Sequence, residues 1–463
     1  MSSRPRDTRR RIMHFGSSGL SSKASVILIL TFTTVAVIDS TIVGFLSYSG
    51  FDLSISTNIL IFILFSVTFA TTGLILLNST KKSLTSGPKL SLIIKNSHGI
   101  IFTTVILMIA ILLIIIFQIT ILNKYNVHTL SVSTYLTHVS ALLFLFVLVY
   151  MFVGWFRSKK NYITMLYMIS FMMISMNVIV SMIYLEYNFS RSYSVDRKPY
   201  PIYLYIIRQE VTAFGESLHT ASDVLYFSSF FSMWIATAAL LKQYRKKVGR
   251  IKYYVLIAIP LIYYSFTFHG YFGNIFSELV IQYPVAFGVV YVLTFSATKQ
   301  VGALLFSTAF LAASTLVGKD RVRKSLLTTA IGIAILFGSV EITTLQYRLF
   351  PPFGLVTEAF IPLGSYLLFI GIFTSATNIA REKDIREEFY KNAKSQLALL
   401  KTIGVSQMEK ELIKKFRDAE KHTSSLEREK AEQEYLDEEN VKEIVREVLT
   451  ELHFKTNGNT KNQ

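Results

Sequence analysis

The chain has 463 residues, of which 51% are apolar, a formal net charge of +17 and no cysteine. A mean hydropathy of +0.44 excludes an ordinary soluble globule, whose apolar segments are shorter and interrupted by charge. The missing cysteine excludes disulfides, thiolate metal sites, cysteine nucleophiles and iron–sulfur clusters.

Residues 1–23 are basic and polar. The apolar run that follows is too long for a signal-peptide core, so they read as a cytoplasmic extension before an uncleaved first helix. Apolar runs then fill 24–48, 56–77, 99–122, 135–156, 162–185, 222–241, 253–268, 279–298, 301–317, 325–346 and 355–379. Ile100–Leu122, for example, matches the roughly 20 residues a helix needs to cross about 30 Å of hydrocarbon.

Lysine and arginine set the orientation. Segments 1–23, 79–98, 157–161 and 242–252 hold 19 of them, and the alternating loops 49–55, 123–134, 186–221 and 269–278 hold five. The N-terminus is therefore expected inside. Basic loop 319–324 and the charged tail also belong inside, yet three complete spans between 253 and 317 would put them outside. One of those helices is expected to be short or re-entrant. The fold expected is all-α: a polytopic transmembrane helix bundle of about ten spans plus one partial helix over 24–379, with both termini cytoplasmic.

On that topology Tyr347–Gly354, with Pro351 and Pro352, reads as an external turn. Loop 186–221 is the only long external segment. It carries an Asn188-Phe189-Ser190 sequon, and Arg208-Gln209-Glu210 suggests an interfacial helix. Gly332, Gly338, Gly364 and Gly371 suit close helix contact.

Residues 380–454 read as an amphipathic cytoplasmic tail and 455–463 as disordered. Ile385, Phe389, Ala393, Leu397 and Leu400 share a helical face. Gly404 falls where a left-handed C-cap would sit, and Ser406–Glu409 reads as a capping box opening a new helix. A last helix is expected over 438–452. Such stripes point to a coiled coil, self-association or docking of a cytoplasmic partner.

Ionisable groups at membrane depth are functional candidates. Asp39, His138, Glu186, Asp223, His269, Glu278, Glu341 and Glu358 all fall in the outer half or at its boundary. Glu216, His219 and Asp223 are spaced for one helical face, so carboxylate and imidazole could hold a metal ion or pass protons. The bland alternative is a wet helix end. Glu341 and Glu358 flank the proline pair and read as reaching water, whereas Asp39 lies deeper and suits a bond with a nearby hydroxyl. No phosphate loop, HExxH or nucleophile elbow occurs, so no enzyme activity and no cofactor are expected. The excess basic charge lies in short loops, which suits anionic lipid headgroups and not nucleic acid.

The segments KQVGALLFSTAF (299–310), VRKSLLTTAIG (322–332), PPFGLVTEAFIPLGSYLLFIGIFTSA (351–376) and IGVSQMEKEL (403–412) carry a resemblance. They are similar to uncharacterised multi-pass membrane proteins of ammonia-oxidising archaea (Thaumarchaeota). The resemblance implies an archaeal cell membrane and a cytoplasmic tail, and it brings no site residues. The leading expectation is a sensor or signalling scaffold, motivated by a last span running unbroken from Ser365 into Ile403. The alternative is a secondary transporter or ion channel.

Overall fold

The computed structural model describes residues 22–48, 54–85, 92–189, 194–196, 213–242, 245, 249–265, 282–283, 298–317, 320–339, 350–381 and 398–426. In chain order the elements are α1 (Ser22–Tyr48), α2 (Ile55–Thr85), α3 (Leu92–Leu122), β1 (Lys124–Asn126), α4 (Val127–Ser158) and α5 (Tyr162–Phe189). There follow β2 (Ser194–Asp196), α6 (Ala213–Leu241), α7 (Arg250–Ser265), α8 (Thr298–Leu316) and α9 (Asp320–Ser339). The last are α10 (Leu355–Ala359), α11 (Ile361–Arg381) and α12 (Ala398–Leu426).

Local chemistry sets several helix starts. Ser54 Oγ accepts from Thr57 N at 3.2 Å, Asn126 Oδ1 from His128 N at 2.9 Å and Asn161 Oδ1 from Ile163 N at 2.9 Å. Each oxygen satisfies an amide with no partner inside its helix.

Among the described residues, seven helical segments are long and apolar enough to cross a bilayer. These are α2, α3, α4, α5, α6, α9 and the α10–α11 run. The protein is a multi-pass membrane protein, and its outward faces carry Leu64, Ile75, Leu113, Phe117, Phe146 and Met172. Lipid solvates such side chains at no cost.

Only 33% of the α3 window is buried, against 83% for α9 and 100% for Leu355–Ala380. The α10–α11 run is thus the central post. Lipid tails are as apolar as leucine, so close backbone approach must hold such a post in place. A Cβ on Gly364 would lie 2.8 Å from Leu336 N, and one on Gly371 2.6 Å from Thr329 N. Gly332 faces the backbone of Leu367 and Leu368 equally closely. The sequence expectation of tight contact at these glycines holds, and the partner is the α9–α11 crossing.

Side-chain contacts give each helix a direction. Asp39 meets Gly354 while Phe32 meets Phe360, so α1 opposes α11. Phe62 meets Phe353 and Phe69 meets Phe360, so α2 runs with it. Ser170 with Ser229 and Ser222 with Asn177 make α5 and α6 antiparallel. Trp234 bonds the Ile257 carbonyl and Tyr253 bonds that of Ala238, so α7 opposes α6. The start of α1, the α4–α5 turn, the start of α9 and the end of α11 consequently share one end of the bundle.

At the other end, β1 and β2 pair antiparallel with Tyr125 opposite Val195. Tyr125 is buried and stacks on Phe350 at 6.2 Å, which ties the α3–α4 link to the proline turn.

Several expectations change. Pro351 to Gly354 is buried, so the expected turn is not exposed; Gly354 meets Asp39 of α1 and Phe353 meets Phe62 of α2. Asn188 lies inside α5, buried, with its Nδ2 donating to Tyr184 O at 2.8 Å, which removes it as a glycosylation acceptor. Helix α12 runs unbroken through Gly404 and Ser406, so neither the C-cap nor the capping box forms. The reason is tertiary: Gly404 packs directly on Ile379. A continuous helix would separate those residues by about 38 Å. The chain therefore reverses between α11 and α12, and the unbroken run from Ser365 into Ile403 does not exist. The expected span 279–298, the interfacial helix near Arg208, the helix at 438–452 and the termini lie outside the described residues.

Candidate functional site

Pro362 shapes the site. It has no amide proton, and its ring conflicts with the carbonyl four residues back, which belongs to Glu358. The helix accordingly breaks at Phe360, whose amide turns to Thr357 O at 3.2 Å. Upstream, Gly354 has φ +90°, a left-handed conformation that a side chain would strain. These two devices set the short helix α10 inside the bundle, with Thr357 and Glu358 pointing at different neighbours.

Thr357 faces α1. Its hydroxyl donates to Asp39 Oδ2, while Gly354 N donates to Asp39 Oδ1 at 3.0 Å. Asp39 is 1% exposed, and both of its oxygens are satisfied. The hydroxyl partner expected for Asp39 is thus Thr357, from a helix 318 residues away in sequence.

Glu358 faces α4. Its Oε1 lies 3.2 Å from His138 Nδ1 and accepts from Thr137 Oγ1 at 3.2 Å. His138 Nδ1 also lies 2.9 Å from the Thr134 carbonyl, which can only accept. The ring proton therefore sits on Nδ1. His138 is 1% exposed and Glu358 fully buried, so the reading of Glu358 as a wet helix end is corrected. The proline turn that was expected to expose it is itself buried. Glu358 Oε2 and Thr134 Oγ1 have no hydrogen-bond partner among the described residues. Buried carboxylates are costly unless paired, and the described residues bring no lysine or arginine to either one.

The other sequence candidates fall elsewhere. His219 Nδ1 lies 3.2 Å from Asp223 Oδ2 on an exposed stretch of α6, and both side chains are at least half exposed. Glu216 is exposed one turn away, and the described residues hold no group of three such side chains placed for a metal ion. Glu186 accepts from Ser131 Oγ at 2.9 Å. His269, Glu278 and Glu341 lie outside the described residues. Sequence reasoning missed Thr134, Thr137 and Thr357. The signal for the first was present: Thr134 and His138 stand four apart on one helical face.

At the opposite end of α4, helix α12 docks. Ser158 Oγ donates to Glu409 Oε2 at 2.5 Å, Asn161 Nδ2 to Thr402 Oγ1 at 2.9 Å, and Trp155 Nε1 to Gln407 Oε1 at 3.4 Å. Leu399, Leu400 and Ile403 are buried beside these polar contacts. Lys410 lies over Gly154, and burial there pushes its ammonium below the ordinary lysine range despite the nearby Glu409 carboxylate.

No known protein family, characterised protein or solved structure matches the chain.

Proposed function

We propose that the protein is a cell-membrane sensor that relays a change in its buried cluster to a cytoplasmic partner through α12. One observation carries this reading. The elements that hold the cluster, α4 and the α10–α11 run, are those on which α12 rests. His138 and Trp155 lie about 25 Å apart along α4, and Ile379 contacts Gly404 at the end of α11. A shift of α4 against α11 at one end therefore reaches α12 at the other.

The topology that goes with it has ten full spans, both termini inside, and the end of α7 and the start of α8 at the outer face. Tyr264 stacks on Phe230 at 4.4 Å, and Gly302 packs on the same ring, so α7 ends where α8 begins. This supports placing both ends on the same side of the membrane, which would reconcile the basic loops. In the cysteine-free chain, single cysteines replacing His269 and Lys299 are expected to react with an impermeant maleimide outside intact cells. One replacing Arg323 should react only after permeabilisation. Opposite sidedness of 269 and 299 would contradict the arrangement.

The relay is tested by placing cysteines at 158 and 409, where the native side chains touch. Oxidative cross-linking in nanodiscs should slow several-fold when His138→Gln or Glu358→Gln is added. An unchanged rate removes the relay.

A second reading, an ion-coupled transporter, is favoured by the helix break beside two buried carboxylates, since broken helices often carry coupling sites. Ion or proton flux in proteoliposomes that disappears in Glu358→Gln would select it.

A further inference from the structure

We propose that Glu358 and His138 form a binding site for one exchangeable proton, taken up on Glu358 Oε2. The inference rests on the sensor reading only for its consequence, not for the site itself.

The hydrogen-bond inventory points to it. Three acceptors, Thr134 O and both Glu358 oxygens, share few donors. Thr137 has one hydroxyl proton, placed between Thr134 O at 3.0 Å and Glu358 Oε1 at 3.2 Å. The His138 Nδ1 proton is divided between Thr134 O and Glu358 Oε1. Among the described residues nothing donates to Oε2, an orphan oxygen on a fully buried side chain. Adding a proton there turns an unsatisfied acceptor into a donor. Thr134 Oγ1, an equally orphaned oxygen, lies on the same α4 face as His138.

Asp39 is the contrast. It takes one donor on each oxygen, so neither is orphaned. A metal ion fits poorly, because the described residues offer no third imidazole or carboxylate. The step is proton transfer alone: hydronium gives H⁺ to the Glu358 carboxylate, leaving water and a carboxylic acid. No other bond changes.

Among the described residues, the surrounding ionisable groups are few. Helix α1 brings Asp39, α5 brings Glu186 held by Ser131, and β1 brings Lys124. Helix α3 brings His98 and α11 brings Tyr366, which bond each other at 2.9 Å well inward of the pair. The α2 lysines, Lys81 and Lys82, are exposed at the far end of that helix. Among the described residues only Asp39 is linked to the pair, through Thr357. Once Glu358 is neutral, the Nδ1 proton of His138 no longer faces a carboxylate charge, and the tie between α4 and α10 weakens.

The test uses the full-length protein in lipid nanodiscs, with Trp234→Phe leaving Trp155 as the one tryptophan. Infrared difference spectra between acidic and alkaline buffer should contain a buried carboxylic-acid carbonyl band. Selective ¹³C labelling of glutamate should shift that band, and Glu358→Gln should abolish it, while Asp223→Asn should leave it in place. A band that ignores glutamate labelling, or no pH-dependent band at all, overturns the site. The labelling arm needs no substitution, so a variant that fails to fold does not decide the matter. Trp155 emission, recorded alongside, should change over the same pH interval. A titrating band with constant emission would support the proton site and sink the relay, so the two ideas fail separately.

Discussion

The variant His138→Leu is expected to lose about 3–5 kcal/mol of stability, because it leaves Glu358 buried with only the Thr137 hydroxyl. The cost is not the worth of the histidine contact itself. Isolating a carboxylate in a low-dielectric interior carries its full desolvation penalty, which pairing with His138 offsets only in part. The double variant His138→Leu/Glu358→Leu should therefore recover most of the loss. With both polar side chains gone, Thr137 keeps its bond to the Thr134 carbonyl, and the Thr134 hydroxyl is no worse placed than in the native protein. Reversible unfolding in mixed micelles measures both, and the cycle yields the coupling between the two sites. A single variant costing less than about 1 kcal/mol, in the range of exposed ion pairs, would mean that the pair is wet.

Much of this architecture was legible in the sequence because it depends on properties that add up along the chain. The positions of the seven long apolar helices follow from 20-residue hydropathy, which survives errors of a few residues. Gly332, Gly364 and Gly371 were legible as sites of close approach, although nothing local identifies α9 and α11 as each other's partner. The His138–Glu358 pair was not legible. Its members are 220 positions apart, and a glutamate just after Pro-Pro carries the local marks of a wet helix start. Only the return of residues 351–354 into the bundle overrides those marks. Gly404 was misread for a related reason. Glycine after an apolar stripe is most often a helix terminus, but here the missing Cβ serves contact with Ile379, and that demand arises from the fold.

Replacing Gly332 with alanine is expected to destabilise the bundle by about 1–3 kcal/mol, and leucine there should prevent native packing altogether. The added Cβ would come within 2.8 Å of Leu368 Cα and 2.9 Å of Leu367 C. These are backbone atoms of the central helix, so no rotamer change can relieve the conflict. The helices themselves must separate, which exposes the tightly packed Ile335–Gly364 and Thr329–Gly371 contacts on either side. In a bilayer, lipid refills the gap without penalty to the apolar surface, so little hydrophobic force resists the separation. Gly99 in α3 supplies the control, since a Cβ there meets nothing within 4 Å. Gly99→Ala should be neutral or stabilise by up to about 1 kcal/mol through helix propensity alone. The same chemical change thus has opposite signs at two positions, decided by whether a backbone lies against the glycine. If both variants unfold at the same point in a mixed-micelle titration, α9 and α11 do not cross as closely as described.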